Sequence, residues 1–336
     1  MSWVPPRLVR RAVIDPLWLP VSFAVGVLLA AVVIISVFLA PITPKRRVLR
    51  AACLACVYLF MDVRLMVLAF GSWLRHPLRE NRDAAWTERH AEMLGRALDQ
   101  LMSAARRLFN YEVDVVGQEL RIDPRHPLVV LARHAGPGDS FTLVHLLVTT
   151  YHRVPRVVLK QALQWDPGLD VVLTRLDCHF LPSKSGAGED RAAAIAAIVR
   201  QLVPGDALLL FPEGGNWTPR RHRRSVIALR RAGYARKARE ANARTHVLPP
   251  RPKGTVAALT ARDDTDVVVI AHAGLDTLVN PGQMWKALPL HERPMRIRAW
   301  LHPAVEVPRA ESAINSWLDD QWAQVDQWIG TERRHD

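Results

Sequence analysis

The strongest hydrophobic feature of the chain is an uncharged run near its amino terminus. Residues Val21 to Ala40 read VSFAVGVLLAAVVIISVFLA and contain no charged side chain. A helix of this length, at about 1.5 Å per residue, spans about 30 Å, the thickness of the hydrocarbon core of a bilayer. A secretory signal peptide would have a shorter apolar core and a small-residue cleavage site after it, whereas Pro, Lys and Arg follow here. The pattern therefore predicts a retained membrane helix.

A second apolar stretch, Val48–Leu74, contains Asp62 and Arg64. Charged side chains are costly at the centre of a bilayer unless they are paired or reach its surface. This stretch therefore either spans the membrane or lies in the interface beside the first helix. Basic residues flank the first helix on both sides, so the positive-inside rule gives no clear orientation for a single span. We expect residues 1–74 to form a membrane-anchoring region and residues 75–336 a folded domain.

The rest of the chain alternates between helical and strand-like patterns. Apolar positions recur at helical spacing over residues 76–110, and short β-rich segments then alternate with helical ones. Predicted strands are 111–117, 127–132, 156–159, 206–211, 266–271 and 295–300, and predicted helices are 139–151 and 189–202. A final helix carries an apolar stripe from Ile314 to Ile329, which docks on the domain or rests on the membrane, docking being favoured. The alternation predicts an α/β fold, a mixed sheet with helices on both faces.

Charge adds a possible partner to this picture. The formal net charge is +13, and the segment from Arg220 to Lys253 has twelve Lys and Arg against the single acid Glu240. Nucleic acid can bind such a segment, but Tyr234 is its only aromatic residue and no nucleic-acid motif accompanies it. With an apolar anchor in the same chain, an anionic membrane is the favoured partner. A solvated basic helix without a specific role stays open.

A first group of candidate catalytic residues follows the predicted strand 127–132. The segment from Arg133 to Ser140 reads RHAGPGDS, so that a His ends the strand, a tight turn follows, and an Asp opens a helix. This spacing brings the His134 imidazole and the Asp139 carboxylate close together, an arrangement that suits general base catalysis. In the alternative interpretation Asp139 only caps the helix and His134 is an ordinary residue at the end of a strand.

A second group follows the buried strand 206–211. Residues Phe211 to Asn216 read FPEGGN. Two glycines allow the backbone to approach a ligand closely or to turn with a positive φ, and Glu213 would lie near His134 if the two strands are neighbours. A plain strand and turn with a capping Glu213 is the alternative.

Together these segments resemble the lysophosphatidic acid acyltransferase-like glycerolipid acyltransferases, the 1-acylglycerol-3-phosphate O-acyltransferases. Their first block is a His, four residues and an Asp, here His134 to Asp139, and their later block is Phe-Pro-Glu-Gly, here from Phe211. Between the two, KQAL begins at Lys160, and a Pro-rich block, VLPPRPKG, contains Arg251. The long basic insertion is most similar to that of the lysocardiolipin acyltransferase branch. The resemblance covers Tyr111 to Ala273.

The resemblance implies transfer of an acyl group from acyl-CoA or acyl-carrier protein to a hydroxyl of a lysophospholipid such as lysophosphatidic acid. It makes His134 the general base and Asp139 its orienting partner, and it requires no metal and no cofactor. It places the enzyme in the membrane, most simply the cell membrane with the catalytic domain in the cytoplasm. The alternative is a catalytically inert, membrane-anchored protein of the same fold. Candidate acceptor-binding residues are Lys160, Phe211, Pro212, Glu213, Gly214, Gly215 and Arg251.

Three departures from the family pattern bear on these roles. Arg133 precedes the His where the family usually has Asn, and Gly215-Asn216 follows the later block where many bacterial members have an Arg. The middle block, which often ends Phe-Ile-x-Arg, reads FLPS from Phe180 and has Lys184 one place on. The last two departures put the phosphate contacts in doubt. Lys160, Lys184 and Arg251 are the candidates to replace them, and a nonphosphorylated acceptor is the alternative.

Overall fold

The computed structural model describes residues 4–75, 83–118, 120–136, 138–181, 188–276, 278, 280–290 and 294–335. The start of the predicted helix 76–110, Pro137 of the predicted turn, and the candidate Lys184 lie outside these residues. The chain divides into two compact units. Unit 1 comprises residues 1–111, 144–185 and 285–292, and unit 2 comprises residues 112–143, 186–284 and 293–336. The predicted boundary at residue 74, which separates an anchor from a catalytic domain, stays a prediction.

The elements follow the predicted alternation. The helices are α1 (Arg7–Val9), α2 (Asp15–Phe38), α3 (Arg47–Arg75), α4 (Ala84–Phe109), α5 (Asp139–Thr149), α6 (Pro167–Arg175), α7 (Gly188–Arg200), α8 (Pro219–Arg231), α9 (Ala235–Ala243), α10 (Pro252–Ala261), α11 (Pro281–Ala287) and α12 (Glu311–His335). The strands are β1 (Val113–Val115), β2 (Leu128–Ala132), β3 (Val154–Lys160), β4 (His179–Leu181), β5 (Asp206–Leu210), β6 (Asp266–Ala273) and β7 (Met295–His302). A π-helical turn joins α1 to α2, and short 3-10 segments precede α3 and α6 and follow β7.

Unit 1 contains the apolar helices. The helical segments 7–38 and 44–75 are both long and apolar enough to cross a membrane, by length and composition. Within the 18 most apolar consecutive residues of each segment, 11% are buried in the first segment and 28% in the second. The second is more covered because α3 packs against α2, α4 and α6. The first apolar helix therefore leaves most of its hydrophobic surface uncovered by the described residues of unit 1.

The acid in the second apolar helix has its partners inside unit 1. Asp62 is buried, and its carboxylate accepts hydrogen bonds from the Trp18 indole and, at 2.7 Å, from the backbone N–H of Gly168 at the start of α6. Asp170 of the same helix pairs with Arg10 and Arg11, each at 2.9 Å. These contacts remove the cost that an unpaired charge would have in an apolar helix. They also join α6 to the amino-terminal helices.

Unit 2 is built on a mixed sheet with the strand order β1-β7-β6-β2-β5. Strand β2 runs parallel to both β5 and β6, whereas β7 runs antiparallel to β6 and parallel to β1. In unit 1, β3 and β4 form a parallel pair. Every residue of β2, β5 and β6 is buried, as their continuous apolar runs require when both faces of a sheet are covered. The predicted α/β class with a mixed sheet is confirmed.

Helix α12 packs on β6 and α10 through the predicted stripe, in which Ile314, Trp322 and Ile329 are fully buried. Docking on the domain is therefore the correct interpretation of this helix. Because β2, β5 and β6 run in the same direction, the segments that follow them meet at one edge of the sheet. That edge holds residues 133–136, 138–139, 211–216 and 274–276.

Candidate active site

His134 and Asp139 form a hydrogen-bonded pair at this edge. The distance between His134 Nδ1 and Asp139 Oδ2 is 2.7 Å. The same Oδ2 atom accepts the backbone N–H of Ala135 at 2.9 Å, and Oδ1 accepts the N–H of Ser140 at 2.6 Å. Asp139 thus contacts the imidazole as well as the backbone N–H groups of Ala135 and Ser140 on either side of it, and its catalytic role stays a prediction.

The turn between them depends on Gly136. Its φ is +91°, and a Cβ there would lie 3.0 Å from the Leu275 carbonyl oxygen in the segment after β6. A side chain would be strained by the backbone angle and crowded by its neighbour. The close approach of these two segments is what holds His134 within reach of Asp139.

The electrostatics of the pair define its protonation. Burial by itself would raise the pKa of Asp139, but the hydrogen bond from His134 and the neighbouring His272 and His134 rings lower it below its ordinary value. An ionised carboxylate can only accept a hydrogen bond, so His134 Nδ1 carries the proton and donates a hydrogen bond to Asp139. In the neutral imidazole Nε2 is then the unprotonated nitrogen. The His134 side chain keeps 18% of its surface exposed, so the ring is accessible from solvent.

The segment after β5 lies directly beside this pair. The Phe211 ring packs against the His134 ring with a centroid distance of 4.4 Å. The backbone N–H of Trp217 donates to the His134 carbonyl oxygen at 2.7 Å. The His134–Asp139 block and the Phe211–Gly214 block are therefore in contact, because β2 and β5 are neighbouring parallel strands.

Glu213 points into unit 2 and is only 2% exposed. Its Oε1 accepts the Trp322 indole N–H of α12 at 3.4 Å, and Oε2 has no hydrogen-bond partner in the described part of the chain. Burial raises the pKa of Glu213 to about 8, so the carboxyl group is largely protonated at neutral pH. Glu213 fixes the loop from its inner side, and its expected role in shaping the acceptor site stays a prediction.

Two guanidinium groups lie against the outer side of the same loop. Gly214 has φ of +68°, and a Cβ there would meet Arg251 Cδ at 3.2 Å. The backbone N–H of Arg251 donates to the Pro212 carbonyl at 2.8 Å. Arg221, which sequence reasoning did not single out, donates to the Asn216 carbonyl at 3.1 Å. Both arginines are exposed, so the loop has cationic groups although its usual Arg is missing.

Lys160 belongs to the other unit. It is the last residue of β3 and is exposed. Its expected contribution to acceptor binding stays a prediction. The remaining predicted site residues, His134, Asp139, Phe211, Pro212, Glu213, Gly214, Gly215 and Arg251, all lie in unit 2.

Comparison with known proteins finds similar sequences and a similar solved structure. Residues 112–251 match the acyltransferase family model. An uncharacterized acyltransferase of Schizosaccharomyces pombe is 22% identical over 275 residues, with 75% of each chain covered. The crystal structure of the 1-acyl-sn-glycerophosphate (LPA) acyltransferase PlsC from Thermotoga maritima aligns with a TM-score of 0.47 and 14% identity, covering 84% of this chain and 98% of that one.

The family match covers part of the chain and supports the acyltransferase motifs that the sequence contains. The matched acyltransferase segment contains His134, Asp139 and the whole loop after β5, and it ends at Arg251. The lysocardiolipin branch stays a prediction.

Part of the site lies beyond the acyltransferase segment, at the end of β6. His272 is 2% exposed, and its Nε2 lies 3.1 Å from the Arg133 carbonyl oxygen and 3.6 Å from Asp139 Oδ2. Burial lowers the pKa of His272 to about 4, so this ring is neutral at physiological pH. A sequence signal existed, because β6 ends in His-Ala-Gly with Asp276 shortly after. This repeats the His-Ala-Gly that follows β2.

Arg133, noted as a departure from the family pattern, is completely buried. Its Nη2 lies 2.9 Å from Asp276 Oδ2, and its Nη1 donates to the His272 carbonyl at 2.7 Å. Burial would raise the pKa of Asp276, but the Arg133 and Arg333 guanidinium groups lower it to about 2. The residue before the candidate base is thus half of a buried ion pair.

Proposed function

We propose that this protein is a membrane-bound O-acyltransferase that moves a fatty acyl group from acyl-CoA or acyl-carrier protein to a hydroxyl of a lysophospholipid such as lysophosphatidic acid. The observation that carries the proposal is the His134–Asp139 pair, 2.7 Å apart, at a strand edge within a segment that matches acyltransferases. The partly exposed imidazole, with the glycine loop beside it, suits a base that deprotonates a hydroxyl group of the substrate. The nucleophile then belongs to the substrate and not to the protein.

The pair can perform the whole proton transfer. His134 Nε2 takes the proton of the acceptor hydroxyl while the oxygen attacks the thioester carbonyl carbon. The tetrahedral intermediate then collapses, the carbon–sulfur bond breaks, and the imidazolium returns the proton to the departing thiolate. Asp139 stabilises the imidazolium between these two steps. The products are an ester and a free thiol. Because a thioester is already activated, positioning and deprotonation of the alcohol are the main tasks.

An anionic acceptor fits the cations beside the loop. Arg251 lies over Gly214 and Arg221 lies beside Gly215, and a guanidinium group binds a phosphate through two parallel hydrogen bonds. Lys160 is retained as a third candidate from unit 1. We therefore place a phosphate monoester on the acceptor, as in lysophosphatidic acid.

A membrane location is supported by two surfaces. The first apolar helix exposes Phe23, Leu28 and Phe38, each with more than 60% of its surface free. In unit 2, the exposed basic faces of α8 and α9 surround exposed Ile227 and Tyr234, a composition that suits anionic headgroups. We place the protein in the cell membrane with its catalytic domain in the cytoplasm.

The test uses the purified full-length protein in mixed micelles with labelled acyl-CoA or acyl-carrier protein. Lysophosphatidic acid and an uncharged monoacylglycerol are offered as acceptors. We expect transfer to the former, with an apparent KM that rises severalfold in Arg251→Ala and Lys160→Ala while the donor KM changes little. Equal use of both acceptors would contradict charge-based recognition, and no transfer to any acceptor would favour an inert membrane-anchored relative.

A further inference from the structure

We infer that Arg333 of α12, acting through Asp276 and Arg133, is a positioning residue for His134. The inference rests on the proposed acyl transfer, since it concerns the same base. Arg333, Asp276 and Arg133 come from three distant parts of the chain and form one cluster at the sheet edge. We call this cluster the arginine clamp.

The outer end of the arginine clamp lies on α12. Arg333 Nη2 binds Asp276 Oδ2, and Arg333 Nη1 lies 3.0 Å from His246 Nδ1. The Arg333 side chain is 24% exposed, whereas that of Asp276 is 1% exposed. Burial and the adjacent Arg333 lower the pKa of His246, so its ring accepts this hydrogen bond in the neutral form. One guanidinium thereby ties α12 to two loops of unit 2.

The inner end holds the residue next to the base. Asp276 Oδ2 also binds Arg133, whose guanidinium donates to the carbonyl oxygens of His272 and His246. The contact is reciprocal, because His272 Nε2 lies 3.1 Å from the Arg133 carbonyl oxygen. The Arg133 backbone is therefore held from its side chain and from its carbonyl. His134 is the next residue, so its Cα position follows from these contacts.

A second route reaches the other side of His134. The Arg133 and Arg333 guanidinium groups lie over the Trp217 ring, at 5.8 Å and 5.3 Å from its centroid. The Trp217 backbone N–H donates to the His134 carbonyl at 2.7 Å. The arginine clamp thus includes the residue before His134 and lies over the residue whose N–H binds the His134 carbonyl. A base displaced by about 1 Å can lose on the order of 100-fold in rate.

The charge balance of the arginine clamp predicts how its members depend on each other. Two guanidinium groups share one carboxylate oxygen. Removal of Arg333 leaves the buried Arg133–Asp276 pair intact but loosens it from α12. Removal of the Asp276 charge leaves two neighbouring cations without a counter-charge, which is the more severe change. Removal of both Arg333 and the Asp276 charge leaves a single buried cation, an intermediate state.

The experiment compares full-length Arg333→Met with Arg333→Lys and with Arg334→Met, the exposed neighbour on the same helix. We expect Arg333→Met to lower kcat at least tenfold while the KM values of donor and acceptor change less than twofold. Arg333→Lys, which keeps one charged hydrogen bond to Asp276, should recover a third or more of kcat. Arg334→Met should match the wild type.

Two further variants test the coupling. Asp276→Asn should lose more kcat than Arg333→Met, and Asp276→Asn combined with Arg333→Met should lose less than the product of the two single losses. The inference is overturned if Arg333→Met retains kcat within twofold. It is also overturned if the KM values of donor and acceptor rise in Arg333→Met by as large a factor as kcat falls. A third contradicting result is an Arg333→Lys variant that restores the melting temperature without restoring kcat.

A measurement without substrate separates this inference from the proposed function. In protein labelled with nitrogen-15 at histidine, the Nδ1 proton that His134 donates to Asp139 gives a downfield resonance, assigned by its loss in His134→Ala. We expect Arg333→Met to shift or broaden that resonance and Arg334→Met to leave it unchanged. If the wild type transfers no acyl group, the proposed function fails, and an unchanged resonance in Arg333→Met then overturns the arginine clamp separately.

Discussion

Two segments of this protein share a sequence pattern and lie side by side, yet they differ in chemistry. Strand β2 is followed by Arg133 and then by His134-Ala-Gly and Asp139, whereas its neighbour β6 ends in His272-Ala273, with Gly274 and Asp276 after it. His134 pairs with its own Asp139 and keeps 18% of its side chain exposed. His272 is 2% exposed and contacts the Arg133 carbonyl and Asp139, whereas Asp276 pairs with arginines.

The difference shows that burial and partners, rather than the residue pattern, assign the roles. A buried imidazole with a pKa of about 4 cannot take a proton from a substrate near neutral pH, because it is far too weak a base. The same ring is well suited to hold a neighbouring backbone in place. Under the proposed function, the segment after β2 would perform the chemistry and the segment at the end of β6 would support it.

The largest expected effect separates the two histidines. His134→Ala should lower kcat/KM by about 10²–10⁴-fold, because general base catalysis contributes on this scale. His272→Asn should lower it by about tenfold or less, since that residue supports the base without reaching the substrate. Steady-state kinetics with labelled acyl-CoA measure both. Equal losses in the two variants would break the comparison.

The two carboxylates can be separated in a similar way. Asp139→Asn should lower kcat by about 10²-fold or more, because an amide cannot stabilise the imidazolium and does not fix the correct tautomer. Ser140→Ala is the matched control, since it removes only a 3.1 Å hydrogen bond to the other carboxylate oxygen, and it should lose less than tenfold. A mild effect of Asp139→Asn would mean that Asp139 serves mainly the start of α5.

The glycines of the two segments allow a comparison of stability. A Cβ on Gly274 would lie 2.2 Å from the Pro294 carbonyl oxygen, against 3.0 Å from the Leu275 oxygen for Gly136. Both have positive φ, so each substitution adds about 1–3 kcal/mol of strain, and the clash adds most at Gly274. Gly205→Ala controls for strain, because its φ is +92° and no atom lies within 4 Å.

We expect losses of unfolding free energy in the order Gly274→Ala, Gly136→Ala, Gly205→Ala, measured by denaturant titration. If the three losses are equal, steric crowding after β6 is absent and the supporting role of that segment is weakened.

The smallest effect is a pH dependence of stability. His272 has a folded pKa of about 4, below the ordinary 6.5, so the fold favours its neutral form. The stability from this group is complete above pH 6.5 and is lost as pH falls toward 4. His272→Asn should therefore flatten the melting temperature between pH 6.5 and 4. Identical pH curves for wild type and variant would contradict the buried, neutral state of His272.

The sequence predicts the local part of this site well. His134, Asp139 and the loop from Phe211 follow continuous apolar strands, and parallel neighbouring strands bring such ends together. It predicts the nonlocal part poorly. Trp322 contacts Glu213 across 109 positions, and Arg333 contacts Asp276 across 57. An apolar stripe shows which face of α12 is buried, but not which loop the polar residues on its border will meet.

Arg133 illustrates a second limit. An arginine after an apolar strand usually reaches solvent, because burying its charge is costly without a partner. The distant Asp276 supplies the opposite charge that its burial requires, and single-sequence reasoning cannot pair the two. The arginines of the basic segment, in contrast to Arg133, are mostly exposed on α8 and α9. Their high charge density predicts this exposure. The division of the chain into unit 1 and unit 2 could not be predicted from the sequence either, because each unit joins segments that are separated in the chain.

The position of α12 in chain order has a consequence for biosynthesis. Every strand of the sheet leaves the ribosome before α12 does, yet α12 supplies Trp322 to Glu213 and Arg333 to Asp276. A nascent chain that already contains His134 and Asp139 therefore still lacks two of the contacts that hold their surroundings. During translation the base is present well before its framework is complete, and the full site forms only when α12 emerges and docks on β6.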